Sequence, residues 1–270
     1  MLINAKMFWN KIFTKLWLSE NTSFSYPANL INPDQFYVAV KMLVNAPIGE
    51  YVWKPRSGRQ SSGIALLEKT SEGFIMFPDS NLIVPHRIAV KLNRLRRVKL
   101  NTPKKLMAVR SWFAEEWIYP HERLHKFTDD TRCPPVIRFI GHDRVSFIGL
   151  TPLYFEHSGT SSSGWKDRKY IWVDLDGVIR SKEDINLSSI DSHTAKVIKE
   201  ESLAAAPFGE KLEGIPEVVE QINKEIGPKV KRYKNQNWSV DGTFDKNNRF
   251  VIIEINHSPD TQFKGVAWKK

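Results

Sequence analysis

The chain has 270 residues, of which 41% are hydrophobic and 26% are charged. These proportions are typical of a globular protein with a sizeable core, and they exclude a collagen-like, a low-complexity or a wholly disordered chain. The formal net charge is +10, and an excess of this size indicates a polyanionic partner: nucleic acid, an anionic membrane or a phosphate-bearing ligand.

Cysteine usage and hydropathy predict a cytoplasmic protein with no membrane partner. Cys133 is the only cysteine, so no intramolecular disulfide can form, as is usual in the cytoplasm. No apolar run approaches the roughly 18–20 residues of a membrane span. Lysines interrupt the apolar residues of the segment 1–17, which argues against a signal peptide and favours a packed helix over an interfacial membrane anchor.

The first half of the chain combines predicted helices with short strands. Helical periodicity is found in residues 1–17 and 34–43. Strands are predicted at 51–53, 64–67, 73–77 and 112–118, the last of which runs into a loop at 119–120.

A flexible loop follows the first predicted strand. Lys54 and Pro55 end that strand, and residues 56–63 read Arg-Ser-Gly-Arg-Gln-Ser-Ser-Gly. A lysine beside a loop with free backbone N–H groups is one way to hold phosphates. The loop lacks the Gly-Lys-Ser/Thr ending of a Walker A motif, and a plain hairpin explains the pattern equally well.

The positive charge is concentrated in one basic block, residues 87–110. It contains nine lysines and arginines and neither aspartate nor glutamate, so the rest of the chain is almost neutral. Its interleaved leucines and valines offer no aromatic platform for stacking nucleobases. The block indicates either a solvated basic helix face or a surface for an anionic partner, with nucleic acid the less favoured one.

The second half mixes hairpins and helices. Strands are predicted at 136–140, 145–150, 238–244 and 250–256, and residues 157–168 are predicted to form a mobile loop. One helix is predicted from Ser192 to about residue 206, and another from Pro216 to a terminating Gly227. Because helices and hairpin strands do not strictly alternate, the predicted fold class is α+β.

The last two predicted strands carry oxygen ligands. Strand alternation places Glu254 and Asn256 on one face, with Ile253 and Ile255 directed into the core. Asp241 lies on the partner strand within pairing reach. Two carboxylates and an amide oxygen suit Mg²⁺, which completes its coordination with water and substrate phosphates. The spacing alone favours the simpler alternative, a polar outer face of an edge hairpin.

Five motifs, taken in order over most of the chain, resemble those of the ATP-grasp superfamily of carboxylate–amine ligases. They are Asn10-Lys11 with Thr14; Val52-Trp53-Lys54-Pro55 with the loop to Gly63; Glu115, Trp117, Ile118 and Glu122; Arg138; and Val240-Asp241-Gly242 with Glu254-Ile255-Asn256 and Pro259. The resemblance implies the ATP-grasp fold, in which two α+β lobes, here residues 1–113 and 114–270, sandwich ATP.

The resemblance also implies a role for each matched residue. The nucleotide would be bound by Lys11, Lys54, Ser57, Gly58, Ser61, Ser62, Gly63, Glu115, Glu116, Trp117, Ile118 and Glu122. The backbone around Glu116 to Ile118 would read the adenine, and Glu122 the ribose. Arg138 would face the γ-phosphate and would serve catalysis together with Lys54. One or two Mg²⁺ ions would be held by Asp241, Glu254 and Asn256.

The implied activity is an ATP- and Mg²⁺-dependent ligase that activates a carboxylate as an acyl phosphate and joins it to an amine. The substrates would be small molecules or peptides, some of them anionic. The sequence departs from the family at Ile137, where an acidic residue usually precedes the central arginine, and in a loop with only two glycines. Only ten residues precede Lys11, so we expect a core domain without the additional domain that many members carry there.

Two other functions fit part of the sequence. A kinase of the same superfamily would phosphorylate a small anionic acceptor, for which the basic block is suited. A non-enzymatic nucleic-acid-binding protein would use the basic block alone, with steeply salt-dependent affinity. The order of the motifs argues against the non-enzymatic alternative, and the ligase comes before the kinase because the superfamily that the motifs resemble mostly activates a carboxylate as an acyl phosphate.

Overall fold

A computed structural model of the chain describes residues 11–27, 47–55, 65–71, 73–77, 83–85, 112–128, 134–151, 170–187, 192–202, 206–230, 237–257 and 267–268. Four sequence predictions lie outside these ranges. They are the helix at 34–43, the loop at 56–63, the basic block and the loop at 157–168.

The N-terminal part contains one helix and one antiparallel sheet. Helix α1 covers Lys11–Asn21. It overlaps the helix predicted at 1–17 and extends beyond the predicted end. The strands are β1 (Gly49–Pro55), β2 (Ala65–Lys69), β3 (Gly73–Phe77), β4 (Ile83–Pro85) and β5 (Trp112–Glu116). Their order in the sheet is β4-β3-β2-β1-β5, and the four strands predicted in this part of the sequence are confirmed.

The C-terminal part is built on a six-stranded antiparallel sheet, and its α-helices lie between the fourth and fifth of these strands in chain order. Its strands are β6 (Val136–Gly141), β7 (Val145–Thr151), β8 (Ile171–Val173), β9 (Ile179–Arg180), β11 (Trp238–Phe244) and β12 (Phe250–His257), in the order β12-β11-β6-β7-β8-β9. A separate pair is formed by β10 (Ile185–Asn186) and β13 (Ala267–Trp268). The helices are α2 (Ser192–Glu201), α3 (Ile215–Glu225) and α4 (Gly227–Val230), with 3₁₀ helices at Glu122–Phe127 and Lys182–Asp184. The α+β class and both predicted C-terminal hairpins are confirmed.

Two predicted helix ends are wrong. Helix α2 ends at Glu201 rather than near residue 206. Helix α3 ends at Glu225, and Gly227 begins α4 instead of terminating a helix. The residue between them, Ile226, keeps right-handed helical angles and is fully buried. The chain therefore turns without the left-handed residue that a terminating glycine supplies.

A β-bulge interrupts the pairing of β11 with β12. Asp241 pairs with Glu254, whereas Gly242 pairs with Ile252, so Ile253 is the extra residue. The prediction that Ile253 points into the core is therefore wrong, because Ile252 is buried in its place, while the prediction for Ile255 is confirmed.

The two faces of the six-stranded sheet differ. Apolar residues of α1 and α3, among them Trp17 and Ile222, pack in one cluster with Ile137 and Phe139 of β6. Because β6 side chains alternate between faces, Arg138 lies on the opposite face. That face carries a smaller buried cluster, formed by Ile140, Phe147, Tyr170, Trp172, Ile185 and Ile198. No helix in the described ranges combines the length and hydrophobicity needed to cross a membrane.

The segment after α1 covers the edge of this sheet. Ser25 forms a parallel bridge with Val251, and the Ile252 N–H donates to the Ser25 carbonyl at 2.9 Å. The end of α1 is anchored further where Lys229 Nζ donates to the Asn21 carbonyl at 2.6 Å. These contacts hold α1 against β12, with its first turn close to the row of polar side chains described below.

Replacing Ile222 with alanine tests the packing of α3 on the sheet. Ile222 is fully buried, so Ile222→Ala should lower the free energy of unfolding by about 2–5 kcal/mol, measured by denaturant titration. The exposed Glu220 on the same helix provides the control, because Glu220→Ala should change it by about 0.5 kcal/mol or less. Equal effects of the two changes would contradict this packing.

Candidate active site

Three charged residues form a row across neighbouring strands. The antiparallel register places Arg138 of β6 opposite Asp241 of β11, and Asp241 opposite Glu254 of β12. Residues that face each other in this way have Cβ atoms about 4.5–5.5 Å apart. The register of the sheet therefore gathers one cation and two carboxylates on a single face.

Hydrogen bonds and ion pairs connect this row into a continuous network. Arg138 donates from Nε to Asp241 Oδ1 at 2.7 Å and from Nη2 to Oδ2 at 2.6 Å. Asn256 Nδ2 donates to Asp241 Oδ2 at 3.3 Å and to Glu254 Oε1 at 3.0 Å. Lys11 Nζ lies 3.2 Å from Glu254 Oε2. The structure thus brings together five of the residues predicted to form the site.

The network has a buried end and an open end. The Asp241 side chain is 4% exposed, whereas that of Glu254 is 29% exposed. Burial by itself would lower the pKa of Arg138, but the charge and hydrogen bonds of Asp241 outweigh burial and raise it, so Arg138 stays positively charged. A ligand would therefore meet the Glu254 carboxylate before that of Asp241, whereas Lys11 and Arg138 are equally exposed, at 15% and 16%.

The donor set fits a hard divalent cation that keeps part of its own coordination. Within the described residues, no group of three or more His, Cys, Asp or Glu side chains could enclose a metal ion. Asp241, Glu254 and Asn256 offer two carboxylates and one amide, which suits Mg²⁺ completed by water and phosphate oxygens. Asn256 directs its Nδ2 at both carboxylates, so ligation through Oδ1 would require rotation of its amide.

Lys15 is a feature of this region that the sequence did not indicate. Its side chain is 2% exposed and pairs with Glu115, also 2% exposed, at the end of β5. Its Nζ donates in addition to the Pro27 carbonyl at 3.3 Å. Burial, assisted by the charge of Lys11, lowers the pKa of Lys15 to about 7. The only sequence signal was its spacing of four residues from Lys11, which places the two lysines on one helix face.

The predicted adenine segment follows Glu115 directly. Glu116 is exposed and Trp117 and Ile118 are partly buried, while Glu122 is exposed at the start of its 3₁₀ helix. The Trp117 N–H donates to the Glu50 carbonyl at 3.1 Å, so a base would have to use other backbone groups of this segment.

The roles of the remaining predicted residues stay predictions. The backbone of Lys54 lies in β1, opposite Phe113 of β5. The loop residues Ser57, Gly58, Ser61, Ser62 and Gly63 lie outside the described ranges.

Tyr170 is a second member of the site that the sequence analysis missed. Arg138 Nη1 donates to its phenolic oxygen at 3.2 Å. No motif marks Tyr170, because it follows a Ser- and Gly-rich stretch and precedes a strand of only three residues. Its place beside Arg138 results from the pairing of β8 with β7 and of β7 with β6.

No family model and no curated protein matches the sequence. Solved structures that it resembles include D-cycloserine synthetase DcsG (11% identity, TM-score 0.46), the ATP-grasp ligase PsnB in complex with a minimal precursor (11%, 0.44) and the VanG D-Ala:D-Ser ligase from Enterococcus faecalis (14%, 0.44). The alignments cover 95%, 97% and 94% of this chain and 65%, 55% and 53% of those proteins. The chain thus spans less than two thirds of each.

These structures are described as a synthetase and two ligases. At identities of 11–14% and TM-scores below 0.5, they identify neither a reaction nor a substrate for this chain.

The buried pair of Lys15 with Glu115 gives a stability prediction. Below pH 7, where Lys15 is mostly protonated, Lys15→Met leaves the Glu115 carboxylate buried without its cation and should cost about 3–5 kcal/mol of unfolding free energy. The double variant Lys15→Met/Glu115→Leu removes both charges and should recover most of that loss. Denaturant titration measures both effects.

The exposed pair of Lys126 with Glu210, with side chains 43% and 51% exposed, is the matched control. Lys126→Met should cost about 1 kcal/mol or less. If Lys15→Met cost no more than Lys126→Met, the prediction that the buried Lys15–Glu115 pair matters more for stability than an exposed pair would be wrong.

Proposed function

We propose that this chain is an ATP- and Mg²⁺-dependent ligase that activates a carboxylate as an acyl phosphate and joins it to an amine. The observation that carries the proposal is the network from Lys11 through Glu254, Asn256 and Asp241 to Arg138. It arranges two cations around two carboxylates and an amide on one sheet face, and its members belong to three of the five sequence motifs.

The arrangement suits phosphoryl transfer, which depends on positioning and charge neutralisation more than on a protein nucleophile. Asp241, Glu254 and Asn256 would hold Mg²⁺, which would neutralise phosphate charge when bound. Lys11, at the open end, would contact phosphate oxygens. Arg138 would stay charged and oriented by Asp241, ready to face the transferred phosphoryl group.

The other residues matched by the sequence motifs also have roles in this proposal. ATP would lie between the lobes 1–113 and 114–270, with Lys54 and the loop to Gly63 over the phosphates. The backbone around Glu116 to Ile118 would read the adenine and Glu122 the ribose. Substrates would be small-molecule or peptide carboxylates and amines, and the protein would work in the cytoplasm.

The products of ATP turnover test the reaction. The purified chain with Mg·ATP should release ADP only when a carboxylate and an amine are both present, in a panel of amino acids and dipeptides. AMP and pyrophosphate as products would overturn the proposal. Transfer of label from the γ-phosphate to a stable product without an amine would assign the kinase activity instead.

Two substitutions test the metal-binding residues. Glu254→Gln and Asn256→Ala should each reduce Mg·ATP turnover to background, because the first replaces a carboxylate with a neutral amide and the second removes an amide oxygen. Calorimetry should show that Mg²⁺ no longer strengthens ADP binding in either variant. Glu217→Gln, at an exposed position on α3, is the control and should behave as the wild type. Full activity in both site variants would show the metal assignment to be wrong.

A further inference from the structure

Tyr170 touches the site from outside the row of charged residues. Its side chain is buried, and its ring stacks on Trp172 with centroids 5.0 Å apart and planes at 19°. Residue 170 also forms a parallel bridge with Ser202, whose hydroxyl accepts a hydrogen bond from the Trp172 indole at 2.6 Å. The ring is therefore fixed by its surroundings, and its hydroxyl meets Arg138 from a rigid support.

A glycine makes room for this ring. Gly149 of β7 lies opposite Arg138 in the sheet register, so it continues the row of Arg138, Asp241 and Glu254. A Cβ at Gly149 would lie 2.8 Å from Tyr170 Cδ1 and 3.1 Å from Trp172 Cζ3. Any side chain there would displace the tyrosine. The position next to Arg138 in the row therefore carries no side chain, and the phenol ring of Tyr170 occupies the space.

The two neighbours of Arg138 hold opposite parts of its guanidinium group. Asp241 accepts from Nε and Nη2, and Tyr170 accepts from Nη1. Of the five N–H bonds of an arginine, one on each terminal nitrogen is left for a ligand. Asp241 alone would fix one edge of the group, whereas the phenol restrains the third nitrogen.

We propose that Tyr170 is a positioning residue. It orients the guanidinium group of Arg138 toward the phosphoryl oxygens of the bound reactants. The inference rests on the proposed function. It assigns the residue a role in the chemical step, through its hydrogen bond with Arg138.

The variant Tyr170→Phe removes only the hydroxyl and keeps the stacked ring. It should lower kcat about tenfold, as expected for losing one hydrogen bond to a charged group, with KM for ATP unchanged. Gly149→Ala should lower kcat in the same way.

Tyr51→Phe is the matched control, since Tyr51 is also buried and donates to the Pro47 carbonyl at 2.5 Å. Its kcat should equal that of the wild type. Wild-type kcat in Tyr170→Phe would overturn the inference.

A double-mutant cycle with Arg138→Lys tests whether Tyr170 acts through Arg138. In the Arg138→Lys background, Tyr170→Phe should have no further effect on kcat. A full tenfold additional loss would show that the two residues act independently and would overturn the inference.

Failure of the proposed function has a separate signature, because the wild type would then show no turnover with any substrate of the panel. In that case, the unfolding free energies of the wild type, Tyr170→Phe, Arg138→Lys and the double variant test the inference. Coupling between the two substitutions supports the orienting contact, and simple additivity overturns it.

Discussion

The alignment of β6, β11 and β12 is the constraint on which the candidate site depends. Because Arg138, Asp241 and Glu254 face one another across three hydrogen-bonded strands, their side chains are brought together without any loop having to fold over them. A slip of one residue in either pairing would send the displaced side chains to the other face of the sheet. The apolar cluster beneath, with Ile137 and Phe139 fully buried, makes such a slip costly and so protects the polar row.

Helix α1 connects this row to the predicted adenine segment through two lysines one turn apart. Lys11 reaches Glu254 at the open end of the network, and Lys15 pairs with Glu115 at the end of β5. The same helix is fixed to the sheet edge through Ser25. One rigid element therefore sets the distance between the region proposed to hold phosphates and the region proposed to hold the base. Burying the charge of Lys15 is costly, and the Glu115 carboxylate offsets that cost.

Two glycines shape the site by the space they leave. At Gly242 a Cβ would lie 2.4 Å from the Phe250 ring and 2.6 Å from the Val251 carbonyl, so the bulge beside Asp241 accepts no side chain. At Gly149 the missing side chain admits the ring of Tyr170. The first glycine allows the irregular pairing next to the proposed metal ligands, and the second allows an aromatic group to meet Arg138. Neither position takes part in the predicted chemistry directly.

The sequence by itself determined the α+β class, four of the five strands of the first sheet and four of the six strands of the second, because alternation and turn residues are local signals. The resemblance of its motifs marked five charged or polar residues of the candidate site. The sequence misplaced Ile253, since a bulge depends on how two strands pair. It missed Lys15 and Tyr170, because burial of a lysine and contact with a distant arginine are decided only when segments far apart in the chain pack together. The tertiary structure alone fixed the order of the network, in which the Glu254 carboxylate stays partly exposed and that of Asp241 is buried, since only packing sets which charges lose contact with water.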